Sequence, residues 1–232
     1  MKDHQYVFHR YAANNSFIRQ WGLLLIACCL FSACFKNLPD KQVIYFNDFE
    51  TSQKNNIAIY GTSGLIDSLK ISSFNQSKVL GRFNSNYILL QLDMLPVHNA
   101  VKIEFDLYIH DKWDGNYVPP GATYPDLWQM TLNSYPIYLT SFSNGTYNQS
   151  FPDNYTAGIT GHKAFSNSWA TLQGVCTSAG ITNGTAYYKI EYTTAHQGSL
   201  QLAINDVPNP VNSLCLKSWS LDNLRITAIT YK

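Results

Sequence analysis

The sequence predicts an all-β protein, an antiparallel β-sandwich that forms a single domain. About a dozen short runs rich in Val, Ile, Tyr and Phe are separated by Gly, Asn, Ser and Pro. Residues 101–110 alternate strictly between apolar and polar side chains, and no stretch of helical length repeats its apolar residues every 3.6 positions. Short strands with turn residues between them are typical of β-sandwiches.

The first 33 residues predict a lipoprotein signal peptide. Lys2, Arg10 and Arg19 precede an apolar run, Trp21–Phe31, which is shorter than the ~20 residues that a membrane span needs. The run leads into Phe-Ser-Ala-Cys34, which resembles a bacterial lipobox. We therefore expect Cys34 to become the lipidated first residue of the mature chain.

Three alternatives to cleavage before Cys34 stay open. Leu-Ile-Ala-Cys28 fits a lipobox better by its letters but lies inside the apolar run, and the segment could be an uncleaved anchor or a plain secretory signal. With Cys34 as the first residue, residues 34–42 form a tether and residues 43–232 form the sandwich. The mature chain is then expected in the cell envelope, lipid-anchored in the outer membrane or at the cell surface, facing the periplasm or the exterior.

Cysteine usage agrees with export. Cleavage before Cys34 leaves Cys176 and Cys215 as a pair, which we expect to form a disulfide in an oxidising compartment. A bridge across roughly 40 residues would contribute ~3–4 kcal/mol by loop-closure entropy. Two buried free thiols are the alternative.

The charge balance argues against nucleic acid as a partner. Residues 1–33 hold three of the 16 basic residues and one of the 15 acidic residues, so the remainder has a formal net charge of −1. No basic run or patch is visible in the sequence. Membrane attachment is therefore expected through the lipid anchor only.

Ten strands are predicted from the apolar runs and their turns. In Val101–His110, the odd-numbered residues are apolar and should face the core, whereas the even-numbered residues should face outward. The predicted strands are Val43–Glu50, Ile57–Tyr60, Lys78–Phe83, Tyr87–Leu92, Val101–His110, Leu127–Leu132, Ile137–Phe142, Ala186–Tyr192, Ser199–Asn205 and Trp219–Ala228.

An acidic loop, Asp111–Met130, follows the clearest of these strands. Three prolines exclude a helix or a central strand here. Crowded carboxylates repel one another unless a cation lies among them, and Ca²⁺ prefers such oxygen ligands. The candidate calcium ligands are Asp111, Asp114, Asn116 and Asp126. The spacing is not that of an EF-hand, so any site is assembled from loops; a solvated loop stabilised by Asx-turns is the alternative.

The same loop is rich in aromatic residues. Trp113, Tyr117, Tyr124 and Trp128 could form a platform for sugar rings, whose C–H faces pack on aromatic rings as other apolar surfaces do. The two tryptophans could equally plug the core beneath the loop. The tyrosines are the better candidates for exposed residues.

A second acidic pair joins the two ends of the predicted domain. The segments Phe46-Asn-Asp-Phe-Glu50 and Trp219-Ser-Leu-Asp-Asn-Leu-Arg-Ile226 resemble the paired ends of jelly-roll carbohydrate-binding modules and MAM-like domains. The resemblance implies that Glu50 and Asp222 hold a structural Ca²⁺. The apolar alternation skips one position at Asp222, which predicts a β-bulge. Two separate, solvent-facing carboxylates are the alternative.

The middle of the chain resembles extracellular concanavalin-like or jelly-roll sandwich domains of bacterial surface proteins. The segments involved are Asp-Lys-Trp-Asp-Gly-Asn116, Pro-Asp-Leu-Trp128, Ser-Phe-Ser-Asn144 and Gln-Ser-Phe-Pro152. Glu104-Phe-Asp106 resembles the start of the Glu-x-Asp-x-x-Glu strand of concanavalin-like glucanases, in which carboxylates line one cleft. Ile109 stands in place of the third carboxylate, so the catalytic set is incomplete.

The sequence therefore predicts a non-catalytic, calcium-stabilised lipoprotein that binds a glycan or a cell-surface polymer. No complete catalytic constellation is found, and the histidines show no metal-binding spacing. A concanavalin-like hydrolase or lyase is one alternative, and a structural lipoprotein of a surface assembly is the other.

Overall fold

The computed structural model describes residues 38–51, 53, 55–66, 70–207 and 213–232, and it confirms the predicted antiparallel β-sandwich. Its compact unit comprises Asp40–Thr230. The described residues form strands β1 (Asp40–Asn47), β2 (Ile57–Gly61), β3 (Gly64–Ile66), β4 (Ile71–Phe74), β5 (Ser77–Phe83), β6 (Tyr87–Leu92), β7 (Ala100–Asp111), β8 (Leu127–Leu132), β9 (Tyr135–Thr140), β10 (Ala170–Leu172), β11 (Thr185–Ala195), β12 (Leu200–Val207) and β13 (Lys217–Thr230).

The strands form two antiparallel sheets. Sheet A has the order β10-β11-β7-β13-β5-β4, and β1 also pairs with β13. Sheet B has the order β3-β2-β6-β12-β8-β9. Most neighbouring strands are distant in sequence, so the chain crosses repeatedly between the sheets and encloses one core between their inner faces.

One edge of β13 is shared by two strands. β1 pairs with Leu224–Thr230, and β5 pairs with Trp219–Leu221. Between these segments, the register of β13 against β7 shifts from Asp222 to Arg225. This shift confirms the bulge that the sequence predicted at Asp222, and Asn223 adopts a positive φ of 53° within it.

Apolar side chains from both sheets fill the core. Trp128 of β8 and Trp219 of β13 are fully buried and meet edge to face, with ring centroids 6.3 Å apart. The inward face of β7 is buried as predicted: its members are Val101, Ile103, Phe105, Leu107 and Ile109.

The outer face of β7 differs from the prediction at two positions. Tyr108 and His110 are buried although they point away from the core, because Phe74 of β4 packs edge-on against both rings. The His110 ring lies between the hydroxyls of Thr185 and Ser220, at 3.1 and 2.9 Å. Burial, with a smaller contribution from the charge of Arg82, lowers the pKa of His110 to about 3.

The loops gather at two opposite ends of the sandwich. We call residues 112–126, 141–169 and 173–184 the loop end, and residues 93–99, 133–134 and 196–199 with the start of β1 the β1 end. β7 runs from the β1 end to the loop end, and its 12 residues separate the two by about 36 Å at ~3.3 Å per residue. Surfaces at the two ends therefore cannot share one small ligand.

The cysteine prediction is confirmed at the loop end. Cys176 and Cys215 form a disulfide with a Cα–Cα distance of 5.1 Å across a sequence separation of 39. The boundary of the tether is different from the prediction: residues 40–42 pair with β13, so they belong to β1. The predicted signal peptide (residues 1–33), Cys34 and the rest of the tether up to residue 37 lie outside the described residues. Among the residues described, no helix is long and apolar enough to span a membrane.

Candidate functional site

The structure gives three of the four predicted calcium ligands of the acidic loop, Asp111, Asn116 and Asp126, separate hydrogen-bond or ion-pair partners. Asp111 ends β7 and is 1% exposed. Its Oδ1 accepts hydrogen bonds from the backbone N–H groups of Cys176 (3.0 Å) and Ser178 (2.9 Å). Asp111 therefore orders the turn that carries the disulfide.

Asp126 and Asn116 are engaged elsewhere. Asp126 forms an ion pair with Lys217, and both side chains are buried. The Asn116 Oδ1 accepts hydrogen bonds from the hydroxyls of Ser141 and Ser150. Each of these contacts joins the acidic loop to a different part of the fold.

Asp114 is half-buried and lies beside the second loop of the loop end. It forms an isolated β-bridge with Ser143, and burial raises the pKa of its carboxyl group. Within the described residues, no group of three or more His, Cys, Asp or Glu side chains is arranged to hold a metal ion. A calcium ion held jointly by Asp111, Asp114, Asn116 and Asp126 therefore finds no support in the geometry.

The two tryptophans of the acidic loop are core residues, which corrects their assignment as ligand-binding residues. Trp113 is 2% exposed and donates its Nε1–H to the Ser218 carbonyl oxygen at 3.0 Å. Trp128 is fully buried and packs against Phe142 and Trp219. A fully enclosed ring cannot stack on a sugar, so only the two tyrosines stay as candidates.

Tyr117 forms an exposed aromatic pair with Tyr147, a residue that the sequence analysis did not single out. The two rings stack at a centroid distance of 4.7 Å and an interplanar angle of 21°. Their exposed fractions are 38% and 45%. Tyr124 is exposed to a similar degree, at 39%. We call the stacked rings of Tyr117 and Tyr147 the tyrosine pair.

Backbone contacts fix the tyrosine pair in place. Asn116 N–H donates to the Asn148 carbonyl oxygen at 2.6 Å, and Gly115 N–H donates to the Phe142 carbonyl oxygen at 2.8 Å. The approach is so close that a Cβ on Gly115 would lie 2.0 Å from the Asn148 carbonyl oxygen. The residue before Tyr117 and the residue after Tyr147 are therefore in direct contact.

The second loop is anchored to the core by Gln149, which is fully buried. Its Oε1 accepts hydrogen bonds from the Ser143 N–H and the Tyr188 hydroxyl. Its Nε2 donates to the carbonyl oxygens of Phe151 and Ser166. With all four bonds made, neither polar atom of the buried Gln149 amide is left unpaired.

The second predicted calcium pair, Glu50 and Asp222, is brought together beside the hydroxyl of Ser77, the first residue of β5. The Ser77 hydroxyl lies 2.7 Å from Glu50 Oε1 and 3.0 Å from Asp222 Oδ2. The Ser77 hydroxyl has one proton, so it can donate a hydrogen bond to only one of the two carboxylates at a time. Glu50 Oε1 also accepts the backbone N–H of Lys78 at 2.9 Å.

The electrostatics of this acidic pair are unequal. The backbone N–H of Lys78, followed by the Ser77 hydroxyl, lowers the pKa of the exposed Glu50. Burial raises the pKa of Asp222 to about 6, and the charges of Asp106 and Glu50 act in the same direction. Ionisation of Asp222 is therefore less favourable than that of a solvent-exposed aspartate.

The carboxylates that resemble part of a glucanase strand are held by neighbouring side chains. Asp106 accepts hydrogen bonds from the Tyr187 hydroxyl (2.7 Å) and from Asn223 Nδ2 (2.8 Å). Glu104 is paired with Lys102 at 2.7 Å. Ile109, at the position of the third carboxylate of that motif, is fully buried in the core.

Two further features escaped the sequence analysis. Trp169 is 66% exposed, and the Lys189 ammonium lies 4.0 Å from the centre of its ring. At the β1 end, His98 Nε2 lies 2.8 Å from His196 Nδ1. No sequence signal connects these pairs, because the partners are distant along the chain and meet only after the sheets form.

The hydrogen bonds around the histidine pair fix both rings in neutral forms. His98 Nδ1 lies 2.7 Å from the Pro96 carbonyl oxygen, which can only accept, so Nδ1 carries a proton. His196 Nε2 lies 3.1 Å from the Asn133 amide nitrogen, which can only donate. The remaining proton is therefore on His196 Nδ1, which donates to His98 Nε2. A second proton would break one of these bonds.

Comparisons with known proteins identify neighbours of low similarity. No protein-family model matches the chain, and no curated protein matches it. Among solved structures, a family 35 carbohydrate-binding module from Clostridium thermocellum has 11% identity and a TM-score of 0.33, over 81% of this chain and 97% of that chain.

Two other solved structures are similar to a comparable degree. An N-terminal xylanase 10B fragment from Clostridium thermocellum, with CBM22-1 and GH10 modules and bound xylohexaose, has 10% identity and a TM-score of 0.33, over 80% of this chain and 28% of that chain. The C-terminal CBM6 of a laminarinase from Zobellia galactanivorans has 11% identity and a TM-score of 0.29, over 82% of this chain and 99% of that chain. At these TM-scores the superpositions assign no ligand to this chain.

Proposed function

We propose that this protein is a non-catalytic, lipid-anchored glycan-binding protein of a bacterial cell envelope, and that calcium stabilises its fold. The tyrosine pair at the loop end carries the proposal for glycan binding. The two half-exposed rings form an apolar surface, and the loops that carry them are hydrogen-bonded to each other and to the core. They therefore lose little conformational entropy on binding.

Polar groups flank the tyrosine pair, as recognition of sugar hydroxyls requires. Asp114 and Asn148 are half-buried residues of the two loops that carry the pair. Gly145 lies two residues before Tyr147, and a Cβ added to Gly145 would stand 3.9 Å from the Asp114 Oδ1. We assign Asp114 the role of a hydrogen-bond acceptor for sugar hydroxyls.

Calcium is proposed at Glu50 and Asp222. Two carboxylates that compete for a single hydroxyl proton are hard oxygen donors of the kind that calcium binds. Calcium takes six to eight oxygen ligands in general, so backbone carbonyls and water would complete the site. The bound ion would stabilise the fold by holding the segment after β1 against β5 and β13.

The glycan proposal is tested by removing each ring of the tyrosine pair. Microarrays of plant and microbial polysaccharides identify a ligand, and calorimetry then gives Kd for Tyr117→Ala and Tyr147→Ala. Loss of one stacking ring should weaken binding about tenfold, which is 1.4 kcal/mol. Tyr87→Ala is the matched control, because Tyr87 is 38% exposed, like Tyr117, and packs against Tyr60 on sheet B.

Two results would contradict the proposal. One is the absence of binding to any polysaccharide by the folded, calcium-loaded protein. The other is an equal loss of affinity in Tyr87→Ala, which would show that the loop end is not the site.

A further inference from the structure

The β1 end presents an apolar loop between β6 and β7 directly to solvent. Met94 is 99% exposed and Val97 is 94% exposed, although both are large aliphatic side chains. Tyr135, the first residue of β9 directly after the β8–β9 turn, is 79% exposed. We call Met94, Val97 and Tyr135 the apolar tip.

The apolar tip is presented by ordered backbone. The Thr230 hydroxyl donates to the Val97 carbonyl oxygen at 3.1 Å, and Asn99 N–H donates to the Ile229 carbonyl oxygen at 3.0 Å. His98, between them, is buried and bonded to His196. These contacts tie the loop to β13 and leave its apolar side chains facing outward.

The first residue of the sandwich lies at the same end. Asp40 pairs with Thr230, the residue that also holds Val97. Residues 34–40 contain six residue steps, which can span at most about 22 Å when fully extended. A lipid on Cys34 therefore confines the β1 end, and not the loop end, to the neighbourhood of the bilayer surface.

We propose that the apolar tip inserts into the interface of the lipid bilayer and orients the sandwich with its β1 end toward the membrane. The inference rests on the lipid anchor of the proposed function and goes beyond it, because the protein surface itself contacts lipid. Aliphatic side chains and tyrosine are suited to the boundary between headgroups and acyl chains.

Hydrophobic burial, rather than charge, drives this contact. Asp93 is the one charged residue among residues 93–99, and the sandwich as a whole has no excess of positive charge. Anionic lipid should therefore not be needed, and zwitterionic vesicles are the appropriate probe.

The orientation places the tyrosine pair away from the membrane. The loop end lies about 36 Å from the β1 end along β7, so Tyr117 and Tyr147 would face outward from the bilayer. A polymer outside the membrane could then reach them.

The test uses single fluorescent labels on the lipidated full chain, expressed in a bacterium and reconstituted into phosphatidylcholine vesicles. Met94→Cys and Val97→Cys each receive an environment-sensitive nitrobenzoxadiazole label, since Cys176 and Cys215 are bonded to each other. Thr123→Cys, exposed at the loop end, is the matched control. All three positions are exposed, so the labels should not disturb the fold.

We expect labels at positions 94 and 97 to shift to shorter emission wavelengths and to lose fluorescence when nitroxide-labelled lipid is included. The label at position 123 should do neither. Mass spectrometry of the same samples reports whether Cys34 carries lipid. Lipid on Cys34 with no shift at positions 94 and 97 would overturn the insertion alone, whereas an unmodified Cys34 would overturn both the anchor and the insertion.

Discussion

Gly115 shows at the scale of one residue how the loop end depends on close backbone contact. Its φ of +58° is left-handed, and a Cβ would meet the Asn148 carbonyl oxygen at 2.0 Å. The two loops that carry the tyrosine pair can therefore approach each other only because this position has no side chain.

Gly115→Ala should lower the free energy of unfolding by about 2–4 kcal/mol, because it combines left-handed strain with a backbone clash. Glycan affinity should also fall, since the clash displaces the loop of Tyr117. Gly121→Ala is the matched control: Gly121 has a φ of +83°, but no atom lies within 4 Å of its added Cβ. Urea unfolding should show a loss of only about 1 kcal/mol for the control; equal losses would refute the importance of the contact.

The histidine pair predicts a dependence of stability on pH. Burial, with a smaller contribution from His98, lowers the pKa of His196 in the folded protein below the value of about 6.5 that unfolded chains show. The unfolded state therefore binds more protons below that value, so this contribution is complete at neutral pH and is lost as the pH falls. The other titratable side chains around His196 are Tyr135 and Tyr192, which line the same cleft, and Asp93, which lies near Asn133, the hydrogen-bond partner of His196.

The free energy of unfolding should fall by roughly 0.5–1 kcal/mol more between pH 7 and pH 5 in the wild type than in His196→Gln. The effect is kept small because His196 lines a cleft that is open to solvent. His162→Gln is the control, since the His162 ring is exposed and bonded to Asp153 at 2.8 Å. If the free energy of unfolding depends on pH in the same way in the wild type and in His196→Gln, the assignment of neutral forms to His98 and His196 is contradicted.

Single residues were also where sequence reasoning was weakest. Trp113 and Trp128 belong to the same sequence segment as Tyr117, Asp111–Met130, and composition alone could not show that the two tryptophan rings turn into the core. The tyrosine pair joins two loops that are 30 positions apart, so no local pattern could identify it. Glu50 and Asp222 lie beside the same Ser77 hydroxyl, and a family resemblance supplied this long-range information, which local patterns lack; their role as calcium ligands stays a prediction.

The strands themselves were predictable where burial repeats along the chain. Tyr87–Leu92 and Leu127–Leu132 have the predicted bounds, because each is a compact apolar run between turn residues. β3, β4 and β10 were not predicted; they are short, and β4 carries two serines in four residues. Such strands form because a neighbour offers an open edge, which is tertiary information.

Calcium should act at the level of elements, by joining the segment after β1 to β5 and β13. At a free concentration 100 times its Kd, the ion would raise the free energy of unfolding by ~2.7 kcal/mol. Thermal melts with calcium and with EDTA should differ by about 5–10 °C for a chain of this size. The difference in melting temperature should disappear in Asp222→Asn. It should persist in Asp114→Asn, which changes the acidic loop Asp111–Met130 instead.

A melting temperature that EDTA leaves unchanged would refute calcium at Glu50 and Asp222. Loss of the calcium effect in Asp114→Asn as well would place the ion elsewhere or show that it binds both acidic regions.

At the scale of the whole molecule, the proposed membrane-binding and glycan-binding surfaces lie one strand length apart. The β1 end carries the apolar tip and the first residue of β1, whereas the loop end carries the tyrosine pair and the disulfide. Substitutions at one end should therefore leave the other unaffected, as is usual for sites more than about 10 Å apart.

The pairing of β1 with β13 has a mechanical consequence. β1 begins at Asp40, at the end where the chain enters the sandwich, and is paired to β13 as far as Asn47. A pull on Asp40 that is resisted at the loop end acts along the axis of β1. The hydrogen bonds between the two strands would then be loaded together in shear instead of being opened one after another, so the sandwich should resist a force that stretches it between its two ends.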